Sequence, residues 1–257
     1  MWGYLSWAVA MQTSDYISLL SSIGACLAAI MAWLTLIELK QQRASTYRPD
    51  LVIPSLRFQA NYRSISDPLS AIWHLPFGHD EKLPSSDTIQ YATADIKNIG
   101  KGAAKHVNVV WSYQKNKLVE LFNALAAPDY SIETSDGMFW RVNGAGSGYN
   151  HRMFESQNIP YIYPVGDGPE KFKIHVPSFY QAIISAIIFI SIKNRKVDEL
   201  FDLKFGSELT LTYHDIGGST IRTTFIVSVD FDMLAHGNDT DPPMFQASLD
   251  FTPAESG

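Results

Sequence analysis

Residues 16–37 form an unbroken run of 22 positions without a charge, rich in Leu, Ile, Ala, Met and Trp. As a helix this run rises about 33 Å at ~1.5 Å per residue, enough for a hydrocarbon core of roughly 30 Å. After Pro49 the dominant period becomes two. Leu209, Leu211 and Tyr213 alternate with Thr210, Thr212 and His214; Ile221, Phe225, Val227, Val229 and Phe231 resume the alternation after Asp215-Ile216-Gly217-Gly218. That pattern predicts a hairpin with one apolar face and a glycine turn. A second hairpin is expected from residues 88–98 and 105–113, joined through Gly100-Lys101-Gly102, with Val107, Val109, Trp111 and Tyr113 on one face. Phe172, Ile174 and Val176 mark a further strand, and residues 51–58 another, with Pro54 pointing to an edge position. Residues 182–192 (AIISAIIFISI) are apolar on both faces and too short to span a bilayer, so they read as a central, doubly covered strand. Helical signals inside the body are few: Leu118, Leu121, Phe122 and Leu125 carry helical spacing, and residues 177–181 and 196–202 read as single turns.

The resulting expectation is a mainly β protein: one N-terminal transmembrane helix, then an antiparallel β-sandwich, immunoglobulin-like in its hairpin punctuation, interrupted by two long insertions. The boundaries read as an extracytoplasmic N-terminus (1–14), the transmembrane helix (15–39), a juxtamembrane linker (40–49), the sandwich (50–235) and an acidic tail (236–257). The tail holds three prolines and no sustained period, which predicts a flexible or loosely docked segment. The insertions are residues 58–87 and 128–170. The second contains seven aromatics and six glycines, a composition that suits a binding surface better than simple disorder.

Charge sharpens the membrane reading. No Lys or Arg precedes Lys40, so the basic start of a secretory signal is missing. Ile23-Gly24-Ala25-Cys26 resembles a bacterial lipoprotein lipobox, but the apolar run continues for 11 residues beyond the cysteine. Lys40, Arg43 and Arg48 follow the helix, while Asp15 alone precedes it. The positive-inside rule therefore places the N-terminus outside and the body in the cytoplasm, at the inner (plasma) membrane. Gly24, Ala28 and Ala32 are spaced by four, and Ser21, Ala25 and Ala29 repeat the spacing beside them, a pattern that permits close helix–helix approach and a homo-oligomer.

The whole chain carries a formal charge of −6. Residues 223–257 contain six acids and no base, so residues 1–222 balance. A nucleic-acid partner is excluded on this balance, since such binding rests on surplus Lys and Arg. The lone Cys26 excludes a disulfide framework.

Chemical motifs are sparse. His74 and His79-Asp80-Glu81 lack the spacing of a metal site, His214-Asp215 sits at a turn, and residues 143–148 form a glycine loop without the Lys-Ser/Thr of a phosphate cradle. No metal, cofactor or catalytic residue is assigned. The binding residues expected in the aromatic insertion are Trp140, Arg141, Tyr149, His151 and Arg152, types enriched at interface hot spots. The sequence thus suggests a non-enzymatic membrane-anchored sensor or scaffold with the lipid bilayer and a protein as partners. A membrane effector of a bacterial defence or toxin system, acting through helix self-association, is the alternative, and a hydrolase the weakest reading.

Overall fold

The computed structural model describes residues 13–62, 64, 67–68, 71–74, 92–126, 130–135, 139–143, 155–167, 172–194, 205–235 and 242–254. The chain divides into two units, residues 1–47 and 48–257.

The described residues of the first unit form one helix, α1 (Thr13–Thr46). Its segment Tyr16–Arg43 is long and apolar enough to cross a membrane, and none of it is buried against protein. Two of its hydroxyls bond within the helix: Ser22 Oγ donates to the Ser18 carbonyl and Thr35 Oγ1 to that of Met31, both at 2.8 Å. Polar groups satisfied in this way suit a helix in lipid, where no water can partner them. The helix continues through Lys40 and Arg43 to Thr46, so most of the expected linker 40–49 is helical.

The second unit is antiparallel sheet over a mixed layer. Its elements are β1 (Leu51–Val52), β2 (Leu56–Tyr62), β3 (Ala71–His74), β4 (Thr93–Asn98), β5 (Ala104–Tyr113), α2 (Lys115–Ala126), β6 (Ser131–Ser135), β7 (Phe139–Asn143), β8 (Ser156–Ile162), β9 (Phe172–His175), α3 (Ser178–Lys193), β10 (Ser207–His214), β11 (Thr220–Ala235) and β12 (Met244–Pro253). A seven-stranded sheet runs β3-β2-β12-β11-β10-β5-β8, a three-stranded sheet β1-β4-β9, and β6-β7 form a separate hairpin. The expected antiparallel sandwich is therefore present, but its strands divide seven against three rather than the four against three of an immunoglobulin constant-type domain.

Alternation decides which face of the large sheet is covered. Phe58, Ala60 and Tyr62 of β2, Phe245, Ala247 and Leu249 of β12, Val227 and Val229 of β11, Leu209 and Leu211 of β10, and Val107, Val109 and Trp111 of β5 are all buried. Their neighbours Arg57, Ser228, Asp230, Glu208, Asn108 and Ser112 are exposed on the other face. In β5 the phase slips at His106, whose φ of 51° marks a bulge that lets Ala104 and Val107 both point inward.

Four sequence expectations are corrected here. Residues 182–192 are not a strand. They lie in α3, which is buried nearly all round because it fills the second layer beside the small sheet. Tyr62 Oη donates to the Ser185 carbonyl at 2.5 Å, Trp73 Nε1 to Ser185 Oγ at 2.7 Å, and the rings of Tyr113 and Phe179 stack 6.1 Å apart. Tertiary burial of this kind overrides the modest helix propensity of Ile. Residues 244–253 are not a loose tail but β12, hydrogen-bonded on both sides to β11 and β2. Residues 88–98 and 105–113 do not form a hairpin. β4 pairs with β1 and β9 while β5 pairs with β10 and β8, so residues 99–103 carry the chain from one sheet to the other. Finally, both insertions hold sheet: β2 runs on to Tyr62 and β3 follows in the first, while β6, β7 and β8 occupy much of the second.

The hairpin at residues 207–231 is as expected, with register Ser207↔Val227 through His214↔Thr220. Of the two turn glycines, Gly218 alone has a positive φ, 85°. The short helix expected around Leu118 is α2; its Asn123 closes onto β6, with Oδ1 accepting the Ile132 N–H at 2.8 Å.

Candidate functional site

The strongest functional feature is α1, and the structure places every stripe residue on it. Gly24, Ala28 and Ala32 follow one another at one-turn intervals, with Ser21, Ala25 and Ala29 alongside, and all six are exposed. A Cβ built on Gly24 would meet nothing within 4 Å, so that face is open to an approaching helix. Cys26 is exposed on the same segment. Among the described residues of the span there is no charge between Tyr16 and Ile37.

The second feature is the point where the chain enters the body. Residues 48–50 lie directly against Gly100: a Cβ there would stand 2.3 Å from the Arg48 carbonyl oxygen and 2.5 Å from the Asp50 nitrogen. Only glycine permits backbone segments to pass so closely. Asn98, 1% exposed, locks the crossing. Its Oδ1 accepts the N–H groups of Asp50 and Gly100, both at 3.1 Å. Its Nδ2 donates to the carbonyls of Gly102 at 2.7 Å and Ile162 at 3.2 Å. Ile99 N–H donates to the Asp50 carbonyl at 2.8 Å and Val165 N–H to that of Asn98 at 2.9 Å. One buried amide thus ties the entering chain, the sheet-to-sheet crossover and the end of β8 together. In the sequence, Gly100-Lys101-Gly102 carries only the signal of a hairpin turn and Asn98 that of a strand end, so nothing local marks this node.

The residues expected to bind a partner are placed as follows. Trp140 and Arg141 lie in β7, opposite Thr134 and Glu133 of β6. Tyr149, His151 and Arg152 fall outside the described residues, as do His79, Asp80 and Glu81. The structure therefore brings two of the five onto one hairpin.

Several of the described titratable groups are taken up by the fold. His74 is buried, with Nε2 3.1 Å from Asn61 Nδ2. Asp215 is buried and its Oδ1 accepts the Ser219 N–H at 2.7 Å, closing the β10–β11 turn. His214 Nδ1 lies 3.1 Å from Thr220 Oγ1, across the same hairpin. Burial pushes the phenols of Tyr62, Tyr113 and Tyr180 well above their ordinary range, with the Glu155 charge adding to the shift at Tyr113. Asp230 is raised by its hydrogen bond to Asp250. Among the described residues no group of three or more His, Cys, Asp or Glu side chains could hold a metal ion.

No protein-family model, no curated protein and no solved structure matches the chain.

Proposed function

We propose that the protein is a non-enzymatic, membrane-anchored sensor or scaffold whose β body holds a protein partner or ligand at the inner membrane surface. The observation that carries this reading is α1: an exposed apolar helix, uncharged over residues 16–37, followed at once by a body with its entry point clamped. A polypeptide with the uncharged run 16–37 exposed has its lowest free energy with that surface in lipid. Lys40, Arg43 and Arg48 at the body side of the span support an N-out, C-in orientation. The β6–β7 hairpin, carrying Trp140 and Arg141, is the proposed partner-binding element together with the Tyr149, His151 and Arg152 stretch.

Extraction and protease protection test the anchor and its direction. The protein is expected to resist alkaline carbonate, and its body to be digested only after the cytoplasmic face is opened. Release by carbonate removes the anchor, and digestion from outside reverses the orientation. Cross-linking in native membranes, with a photoreactive residue in place of Trp140, is expected to capture one discrete partner.

A second reading is favoured by the open stripe on α1. Association through Gly24, Ala28 and Ala32 would make the span an effector that alters permeability when copies assemble. Dye entry on overexpression of the full chain, abolished by Gly24→Ile with Ala28→Ile, supports that reading; unchanged dye exclusion in both forms removes it.

A further inference from the structure

The end of the body at which the chain enters is built from three turns. They are the crossover at residues 99–103, the turn at residues 163–167 after β8, and the β10–β11 turn at residues 215–219. Hydrogen bonds place them together. Ile99 bonds Asp50, Val165 bonds Asn98, and Lys105 at the start of β5 stands opposite both Tyr161 and His214. Each turn exposes an apolar side chain: Ile99 is 59% exposed, Val165 68% and Ile216 55%. Tyr161 and Tyr163 stack beside them, ring centroids 6.1 Å apart, and both are exposed.

Single exposed apolar residues are ordinary on any surface. Here they are concentrated. Of the large hydrophobics exposed on the described body beyond residue 50, these five share one end, and only Val110, Ile226 and Met233 lie elsewhere. The charges at this end are also biased. Arg48, Lys97 and Lys101 are exposed and Lys105 half-buried, against the acids Asp50 and Asp167; Asp215 is bound within its turn.

We propose that this end of the body is a membrane-interfacial surface, with Ile99, Val165 and Ile216 dipping among the headgroups while Arg48, Lys101 and Lys105 face anionic lipid. The inference rests on the anchor reading, because α1 brings the bilayer within reach. From Thr46, the last residue of α1, to the clamped Asp50 the chain can extend at most about 14 Å. A tether that short gives an effective concentration on the order of millimolar, so a weak interfacial affinity suffices to hold the surface down. Apolar tips ringed by basic side chains, with tyrosines at the boundary, match the chemistry of a headgroup layer. Docking in this way would fix the body's orientation and present its polar sheet face and the β6–β7 hairpin to partners.

The test uses the full chain in lipid nanodiscs with an environment-sensitive fluorophore on one cysteine and doxyl-lipid quenchers. Cys26 reports the span. Cys26→Ser with Val165→Cys reports the tip, and Cys26→Ser with Ser228→Cys reports the exposed outer sheet face. The expected result is strong quenching at 26, and quenching at 165 on the order of fivefold greater than at 228. Quenching at 165 should weaken when phosphatidylglycerol is omitted, when salt is raised, or when Ile99→Asp and Ile216→Asp are introduced. Equal quenching at 165 and 228, with 26 still quenched, overturns the docking surface and leaves the anchor standing. An unquenched label at 26 overturns both. A blue shift at 165 that requires two copies per disc assigns the surface to a second copy and also overturns the proposal.

Discussion

Replacing Asn98 with alanine should loosen the point at which the chain joins the body, and the size of the effect can be worked from the structure. The side chain is buried and makes four hydrogen bonds, two as acceptor from Asp50 and Gly100 and two as donor to Gly102 and Ile162. Each is worth roughly 0.5–1.5 kcal/mol net, and the carbonyls of Gly102 and Ile162 lose a buried partner with it. The expected loss is therefore about 3 kcal/mol. For a body of this size that is a fall in Tm of roughly 6–12 °C. Urea unfolding of the full chain in detergent, followed by tryptophan fluorescence, measures the loss. Hydrogen exchange locates it: amides of Asp50, Ile99 and Gly100 should exchange about ten- to a hundredfold faster, well beyond any change in the β10–β11 hairpin. Asn98→Asp separates the two halves of the node, because it keeps the acceptor oxygen but loses both donors and buries a carboxylate. An Asn98→Ala protein within about 0.5 kcal/mol of the native one, with local exchange unchanged, would falsify the assignment of Asn98 as the node.

The other predictions are narrower. Gly218→Ala forces a side chain into φ 85° and should cost about 1 kcal/mol, whereas Gly217→Ala, with no positive φ, should be near neutral; equal effects in thermal melts would contradict the turn geometry. Ser185→Ala leaves the Trp73 indole N–H buried without its acceptor and should lower stability by roughly 1–3 kcal/mol, read by urea midpoint, with no change sinking the proposed pinning of α3. Tyr62, Tyr113 and Tyr180 stay neutral in the fold because burial raises their pKa, so stability is retained up to about pH 10. It then falls, by up to about 1.4 kcal/mol per pH unit per tyrosine, as the unfolded chain ionises first; an unfolding midpoint that stays flat across that window refutes it. Gly24→Ile with Ala28→Ile should reduce any bilayer oligomer to monomer in single-molecule photobleaching, and an unchanged step count excludes this stripe as the interface.

Period and charge made α1 and the β10–β11 hairpin legible in the sequence, because each declares itself locally: an uncharged run, and an alternation that breaks at a glycine turn. β4, β5 and β9 were legible as strands but not as partners, and residues 51–58, which read as one edge strand, divide around Pro54 into β1 and β2 of different sheets. A short glycine-bearing link between two strands implies a hairpin only if both belong to one sheet. Whether the link crosses between layers depends on Asn98 reaching residues 48–50 and 162, contacts up to 64 positions away. Residues 182–192 posed a different problem. Apolarity on both faces reports that a segment is covered on all sides, and a buried strand and a buried helix share that property. What makes α3 helical is the space beneath the large sheet, into which Tyr62, Trp73 and Tyr113 project.

The misreadings of α3 and β12 compensate each other, and their combination changes the meaning of the protein's charge. A strand assigned at 182–192 supplied the sandwich with a central member that the true sheet takes from 244–253. In that stretch Phe245, Ala247, Leu249 and Phe251 did alternate with polar neighbours, but prolines and acids on either side masked the period. Once β12 is part of the sheet, its one acid, Asp250, leaves the tail. Asp250 lies beside Asp230 on the outward face of β11 and β12, close enough to raise the Asp230 pKa, with Asp232 adding its charge. Ten residues separate Asp230 from the start of β11 at Thr220, roughly 33 Å at ~3.3 Å per residue. Bases thus outnumber acids at the entry end, where Arg48, Lys97, Lys101 and Lys105 stand against Asp50, Asp167 and the turn-bound Asp215, while Asp230, Asp232 and Asp250 lie far up the long strand with Arg57 across Ser248. An anionic headgroup layer attracts the entry end and repels the far one. Under the proposed topology, that bias favours contact between the entry end and the headgroup layer.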